Sequence, residues 1–162
     1  MLRQDRAAFA TEWNAEAARE IIGELKGLEG PLLPILHAVN DRFGCISDEA
    51  IVLVADELNL TRAEVQGVVG FYHDFRRRPA GRHVIKICRA EACQSMGSEA
   101  LAERLERALG ISFGETTPDR GITLEEVYCL GNCALSPSAL VDGELHGRMN
   151  EEKVLALVGA RP

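Results

Sequence analysis

The sequence predicts an α/β protein in two parts: four helices over residues 1–78, then a small domain with a four- to five-stranded mixed sheet over residues 82–162. Three observations carry this reading. Apolar residues recur at helical spacing through the first half and stop at glycines and prolines. The polar stretch 76–81, with Pro79 and Gly81, breaks that period. Beyond it, β-branched runs alternate with helical segments, and two of the runs give way to a closely spaced pair of cysteines.

In chain order, Trp13, Ala17, Ile21, Ile22 and Leu25 predict a helix over 11–28, stopped by Gly30-Pro31. Leu33, Leu36, Val39 and Phe43 share a face of a second helix over 32–43, ended by Gly44. Ser47 is a natural N-cap for a third helix reaching Asn59, with Asp48 and Glu49 in its first turn facing the positive end of the helix dipole. Thr61-Arg62-Ala63-Glu64 has the form of a capping box and opens a fourth, running through Val65, Val68, Val69 and Tyr72 to Phe75. The run 83–87 reads as a strand, and 98–109 as a helix stopped by Gly110. Strands are expected over 111–116 and 122–128, and a short one over 139–141. Asp142-Gly143 is a hairpin signal, with 145–149 returning and Asn150 capping a last helix over 151–158. A right-handed crossover from the first strand, with a helix at each end to cover the sheet, gives a small α/β layout of the thioredoxin type.

The bulk numbers are those of a soluble globular protein: 162 residues, 46% hydrophobic, 27% charged. A chain of this size buries roughly 70% of its unfolded surface and needs no disulfide staples. The net charge of −7 argues against a nucleic-acid partner, and Arg76-Arg77-Arg78 reads as a solvated or partner-facing linker. Residues 1–6 show no signal-peptide run, and no apolar stretch is long enough to span a membrane, so a cytoplasmic protein with reduced thiols is expected.

Cys88 and Cys93 bracket one loop and Cys129 and Cys133 another, each just after a strand-like run. Two such loops at neighbouring strand ends bring four thiols to one place, where four thiolates repel unless a metal centre neutralises them. Spacings of four and three intervening residues fall within the zinc range. They also suit a [2Fe–2S] rhomb, which is longer than one ion and takes two cysteines on each iron. Both stay open on spacing, with the wider loops favouring the cluster. A thioredoxin-like dithiol needs C-x-x-C at a helix start, and the chain has none. Gly97, Gly131, Ala90, Ala92, Ser95 and Ala134 are small enough to let backbone N–H groups approach sulfur. Arg89 either adds a positive field or is simply exposed; Ser136 and Pro137 are expected to shape the loop exit without touching the centre. With four cysteines in place, His37, His73, His83 and His146 are surplus to a Rieske-type set and read as surface or interface residues. Cys45, between two helices, reads as a free, partly buried thiol.

The strings Gly70-Phe71-Tyr72-His73-Asp74-Phe75 and Pro79-Ala80-Gly81-Arg82-His83, the Cys88–Cys93 loop, and Cys129-Leu130-Gly131-Asn132-Cys133-Ala134-Leu135-Ser136-Pro137 together resemble the thioredoxin-like [2Fe–2S] ferredoxin family. The E subunit of bacterial complex I is its best-known kind. The resemblance implies one [2Fe–2S] cluster on Cys88, Cys93, Cys129 and Cys133, and an N-terminal helical bundle before the thioredoxin-like domain. It also implies docking on a larger flavin-containing subunit that exchanges hydride with NAD(H). The segment from Cys88-Arg89-Ala90-Glu91-Ala92-Cys93 to Gly97 is similar to the gamma subunit of cytosolic, molybdenum-containing NAD-dependent formate dehydrogenases. Arg89-Ala90-Glu91 and Cys45 depart from what complex I members usually carry. The resemblance therefore implies a formate dehydrogenase subunit first, partnered through the flavin subunit by a molybdenum-containing one. Complex I is the runner-up and NAD-reducing hydrogenase the third.

No nucleophile–base pair and no Gly-x-Gly-x-x-Gly appears, so this chain is expected to carry electrons and to bind neither NAD nor formate itself. Phe71, Tyr72 and Phe75 on the fourth helix mark the expected docking surface; the competing reading is that these rings are core. A zinc-stabilised interaction module is the competing class of function, and a cluster-free thiol oxidoreductase a third.

Overall fold

The computed structural model describes residues 12–159. The expected start of the first helix at Thr11, the reading of residues 1–6 and the outer domain bounds at 1 and 162 lie outside the described residues. The chain divides into two compact units, with the boundary between Pro79 and Ala80.

The first unit is helical. Helix α1 (Ala15–Leu25) starts at Asn14, whose side-chain oxygen accepts from the N–H groups of Glu16 and Ala17 at 2.9 and 3.0 Å. Helix α2 (Leu32–Phe43) ends at Gly44, which takes the left-handed φ of 76° that glycine adopts freely. Ser47 caps α3 (Asp48–Leu58) as expected, and Thr61 and Glu64 close both halves of the capping box on α4 (Arg62–Phe71). Ile22, Ile35, Leu36, Val39, Phe43, Val54, Val65 and Val69 fill the core between these helices.

Helix α4 is shorter than its periodicity predicts. It carries Gly67 and Gly70, poor helix formers, in its last turns, and Tyr72 is extended at φ −94°, ψ 110°. The chain then turns, with the Phe75 N–H bonded to the Tyr72 carbonyl, and Phe75 drops into the helical core at 4% exposure. Tyr72 and Phe75 are therefore not on the helix, and Phe75 is a core residue. Phe71, at 74% exposure, is not.

The second unit has a four-stranded mixed sheet in the order β2-β1-β3-β4. Strand β1 (His83–Cys88) runs parallel to β2 (Ile122–Val127) and antiparallel to β3 (Ala139–Val141), which pairs with β4 (Glu144–His146). The crossover from β1 to β2 carries a short helix α5 (Glu91–Ser95) and the longer α6 (Ser98–Leu109); α7 (Glu151–Leu157) closes the unit behind its Asn150 cap. Ile85 and Ile87 of β1, Leu124 of β2 and Ala139 and Val141 of β3 bury one face against Leu101 and Leu105 of α6 and Val154 and Leu155 of α7. On the other face Lys86 and Glu125, directly opposite in register, pair at 3.3 Å.

Two expected strands differ. The run 111–116 is not a strand: Gly114 has φ 84°, the Glu115 N–H bonds the Ser112 carbonyl to make a turn, and only Thr116 bridges Thr123. The return strand is three residues, Glu144–His146, because Gly147 and a left-handed Arg148 leave the ladder before Met149. Among the described residues no helix is long and apolar enough to cross a membrane.

Candidate metal centre

All four paired cysteines gather at one end of the sheet. Cys88 is the last residue of β1 and lies opposite Val127 of the parallel neighbour β2, two residues before Cys129. Parallel pairing therefore sends both cysteine turns off the same edge of the unit. Cys93 sits in α5, so the first pair spans a strand end and a helix rather than a simple loop. Cys133 opens a single 3-10 turn, Cys133–Leu135. The Cys88 N–H donates to the Ser138 carbonyl at 3.0 Å, which seats the end of the second turn against the first strand.

The sulfurs sit among donors. Burial pushes the Cys88 thiol up, but the N–H groups of Ala90, Cys129 and Leu130 and the Cys93 thiol outweigh it, and its pKa falls below the ordinary thiol value. Cys129 and Leu130 belong to the other pair's turn, so one turn donates to the other's sulfur. The Gly131 N–H reaches Cys129 Sγ at 3.4 Å. Cys133 is pushed the opposite way, first by its hydrogen bond and charge contact with Cys129 and then by burial and by Cys93 and Cys88. The other three thiols thus oppose the ionisation of Cys133. Cys88 and Cys93 are buried, whereas Cys129 and Cys133 are exposed. Cys129 holds a φ of 86°.

Of the small residues expected to open the site, Ala90 and Gly131 bring N–H groups to sulfur. Gly97 does not: its N–H is taken by the Gln94 carbonyl. Ser95 Oγ donates to the Ala92 carbonyl. Arg89 is neither exposed nor aimed at the sulfurs. Its guanidinium grips Glu99 through two bonds of 3.0 and 2.6 Å, donates to Glu126 at 2.6 Å and lies 5.3 Å from the Phe113 ring centroid. Tyr128 donates its hydroxyl to the same Glu126 oxygen at 3.2 Å. A clamp of four side chains therefore links the residue after Cys88 to the residue before Cys129.

Ser136 was not legible as a site residue, yet its hydroxyl lies 3.5 Å from Cys93 Sγ and donates to the Cys133 carbonyl at 2.7 Å. Only its nearness to Cys133 in sequence signals this. The histidines stay away from this chemistry: His83 Nδ1 bonds Asp142, His146 stands near Glu144, His37 packs on Phe75, and His73 is exposed. Cys45 is buried in the helical unit, where burial raises its thiol pKa.

Among the described residues no group of three or more His, Cys, Asp or Glu side chains is arranged to hold a metal ion. A two-iron cluster takes two cysteines on each iron, and the four cysteines stand in the sequence as two pairs. A mixed sheet flanked by two helices, with two cysteine turns on one edge and N–H groups aimed at sulfur, defines an iron–sulfur protein on a thioredoxin-like fold. The sequence profile of the thioredoxin-like [2Fe–2S] ferredoxins matches residues 18–161, and the chain belongs to that family. Its cofactor is one [2Fe–2S] cluster and its work is electron transfer, which sets aside the zinc module and the cluster-free oxidoreductase.

Similar proteins include the E subunit of NADH-quinone oxidoreductase from Mycobacterium tuberculosis strain H37Rv, 36% identical over 141 residues. That match takes in 87% of this chain and 56% of the relative, so the chain spans little more than half the mycobacterial protein's length. The corresponding E subunit from Escherichia coli K12 is 34% identical, with 92% of each chain covered. Among solved structures, an NAD⁺-reducing [NiFe]-hydrogenase superposes with a TM-score of 0.67 at 25% identity, over 79% of this chain and 22% of that one. These relatives favour the complex I and hydrogenase readings over formate dehydrogenase.

Proposed function

We propose that this chain is the one-electron carrier subunit of an NADH-linked flavoenzyme complex, of the kind to which the E subunit of NADH-quinone oxidoreductase belongs, with Cys88, Cys93, Cys129 and Cys133 holding the [2Fe–2S] cluster. The observation that supports the ligand assignment is the parallel pairing of β1 and β2, which ends β1 at Cys88 opposite Val127, two residues before Cys129, and so puts both cysteine turns at one end of the sheet. When bound, the cluster stores one electron at a time beside a flavin that exchanges two. The chain's own residues fix the sulfurs in place and aim backbone N–H groups at them, which favours the more negative reduced state. Burial of Cys88 and Cys93 and exposure of Cys129 and Cys133 give the site a closed side and an open side. Electrons pass through the open side, to a flavin- and NAD-binding partner subunit in the cytoplasm. Phe71, exposed at the end of α4, is a docking residue for that partner.

A formate dehydrogenase complex is the second reading, and the specific observation behind it is the Arg89-Ala90-Glu91 segment inside the first cysteine pair. The native complex, isolated through this subunit, separates the two: NADH-dependent quinone reduction supports the first reading, and formate-dependent NAD⁺ reduction with molybdenum in the preparation supports the second. For the ligands, Cys→Ser at each of positions 88, 93, 129 and 133 is expected to lose or weaken the cluster's visible absorption and reduced-state EPR. Native spectra in all four variants overturn the assignment.

A further inference from the structure

Ser136 is more than nine-tenths buried, with a hydroxyl that has one proton and two neighbours. Its oxygen stands 3.5 Å from Cys93 Sγ and 2.7 Å from the Cys133 carbonyl oxygen. In the protonated-thiol form, the one Cys93 S–H has Ser136 Oγ as an acceptor in competition with the Cys88 sulfur, while Ser136 donates to the Cys133 carbonyl. A cysteine bound to iron has no proton to give, so the polarity of the first contact must reverse or lapse. Ser136 then becomes the only one of the pair with a hydrogen, and Cys93 Sγ an acceptor. Rotation about one side-chain bond carries that hydrogen between carbonyl and sulfur, while the proton stays on Oγ throughout.

We infer that Ser136 is a positioning residue that sets the reduction potential, its hydroxyl turning from the Cys133 carbonyl to Cys93 Sγ as negative charge builds on the sulfur. This rests on the ligand assignment proposed above. Reduction adds charge to the sulfurs, and a donor that strengthens with that charge stabilises the reduced form more than the oxidised one. The contact is well placed for this, because Cys93 and Ser136 are both buried, where a hydrogen bond is not diluted by water. It also ties the first cysteine pair to the second through a single side chain. Ser138 plays a different part: its hydroxyl serves only carbonyls, those of Asn132 at 3.2 Å and Leu135 at 3.4 Å.

The test is an EPR-monitored redox titration of the full-length, cluster-loaded protein, after iron and acid-labile sulfide confirm full occupancy. Ser136→Ala is expected to shift the one-electron equilibrium roughly tenfold toward the oxidised form, a drop of about 59 mV. Ser136→Thr, which keeps the hydroxyl, is expected to restore most of it. If Ser136→Ala does not hold the cluster, Ser136→Thr and its near-isostere Ser136→Val make a second pair whose difference reads the hydroxyl alone. Equal potentials within the pair overturn the inference, as does a Thr variant that falls as far as Ala or Val. The ligand assignment fails by a different result, a native spectrum in the cysteine variants, so the two are told apart.

Discussion

Arg89 shows how a side chain beside the paired cysteines can join their two turns. Its two bonds to Glu99, one to Glu126 and its seat over Phe113 join the edges of both cysteine turns. Arg89→Ala removes all of these at once. It is expected to lower stability by about 1 kcal/mol, since the groups are partly open to solvent, seen as a Tm loss of roughly 2–4 °C. Arg89→Lys should recover less than half, because an ammonium cannot match the paired contact on Glu99. The same contact holds the Glu99 carboxyl below its usual range. A carboxyl lowered in the folded state contributes stability that is present above the unfolded value of about 4.3 and lost as pH falls through the folded value. Between pH 5 and 3, Glu99→Gln should therefore show a smaller acid-side fall in Tm than the native protein; an identical fall contradicts the clamp. Neither this clamp nor Ser136 was legible in the sequence. Both depend on residues ten to forty-three positions apart meeting in space, and periodicity reports only local order.

At the level of elements, sequence reading succeeded where local chemistry decides. Ser47, Thr61 with Glu64, Gly44 and Asn150 mark helix ends by bonds within four residues, so α3, α4 and α7 start and α2 ends where these residues put them. It failed where a tertiary contact wins. Phe75 leaves the α4 register to reach the helical core, and the 111–116 run folds back on β2 through turns. The hairpin after β3 shows what such contacts do for the site. A Cβ on Gly147 would meet Leu135 Cβ at 2.6 Å, the Leu135 carbonyl oxygen at 2.9 Å and Asn132 Nδ2 at 3.0 Å, all in the second cysteine turn. Gly147→Ala is thus expected to push that turn off the sheet, costing roughly 1–3 kcal/mol and lowering cluster content more than total fold. Full iron occupancy with a native far-UV spectrum in this variant contradicts it.

For the molecule as a whole, the two-part organisation was legible because the period of the apolar pattern changes across the 76–81 stretch. The paired cysteines all fall in the sheet-bearing unit and Cys45 in the helical one. Cys45→Ser is accordingly expected to leave visible absorption and EPR unchanged, and a shifted spectrum would make Cys45 part of the centre. Phe71 offers a complementary test of the helical unit. With 74% of its surface open, its removal should barely change Tm, yet Phe71→Ala should reduce co-purification of the proposed flavin subunit severalfold. Equal recovery of the partner moves docking elsewhere.

The left-handed backbone at Cys129 sets two demands on one position. Conformationally the place belongs to glycine, which adopts that φ without a Cβ clash; chemically it belongs to sulfur. No amino acid meets both, so under the proposed ligand assignment the native protein tolerates local backbone discomfort in exchange for a thiolate. Without cofactor, Cys129→Gly should melt higher than Cys129→Ala, by an amount near 1 kcal/mol, even though neither can bind iron there. The turn best suited to resting as bare polypeptide is then not the one best suited to electron transfer.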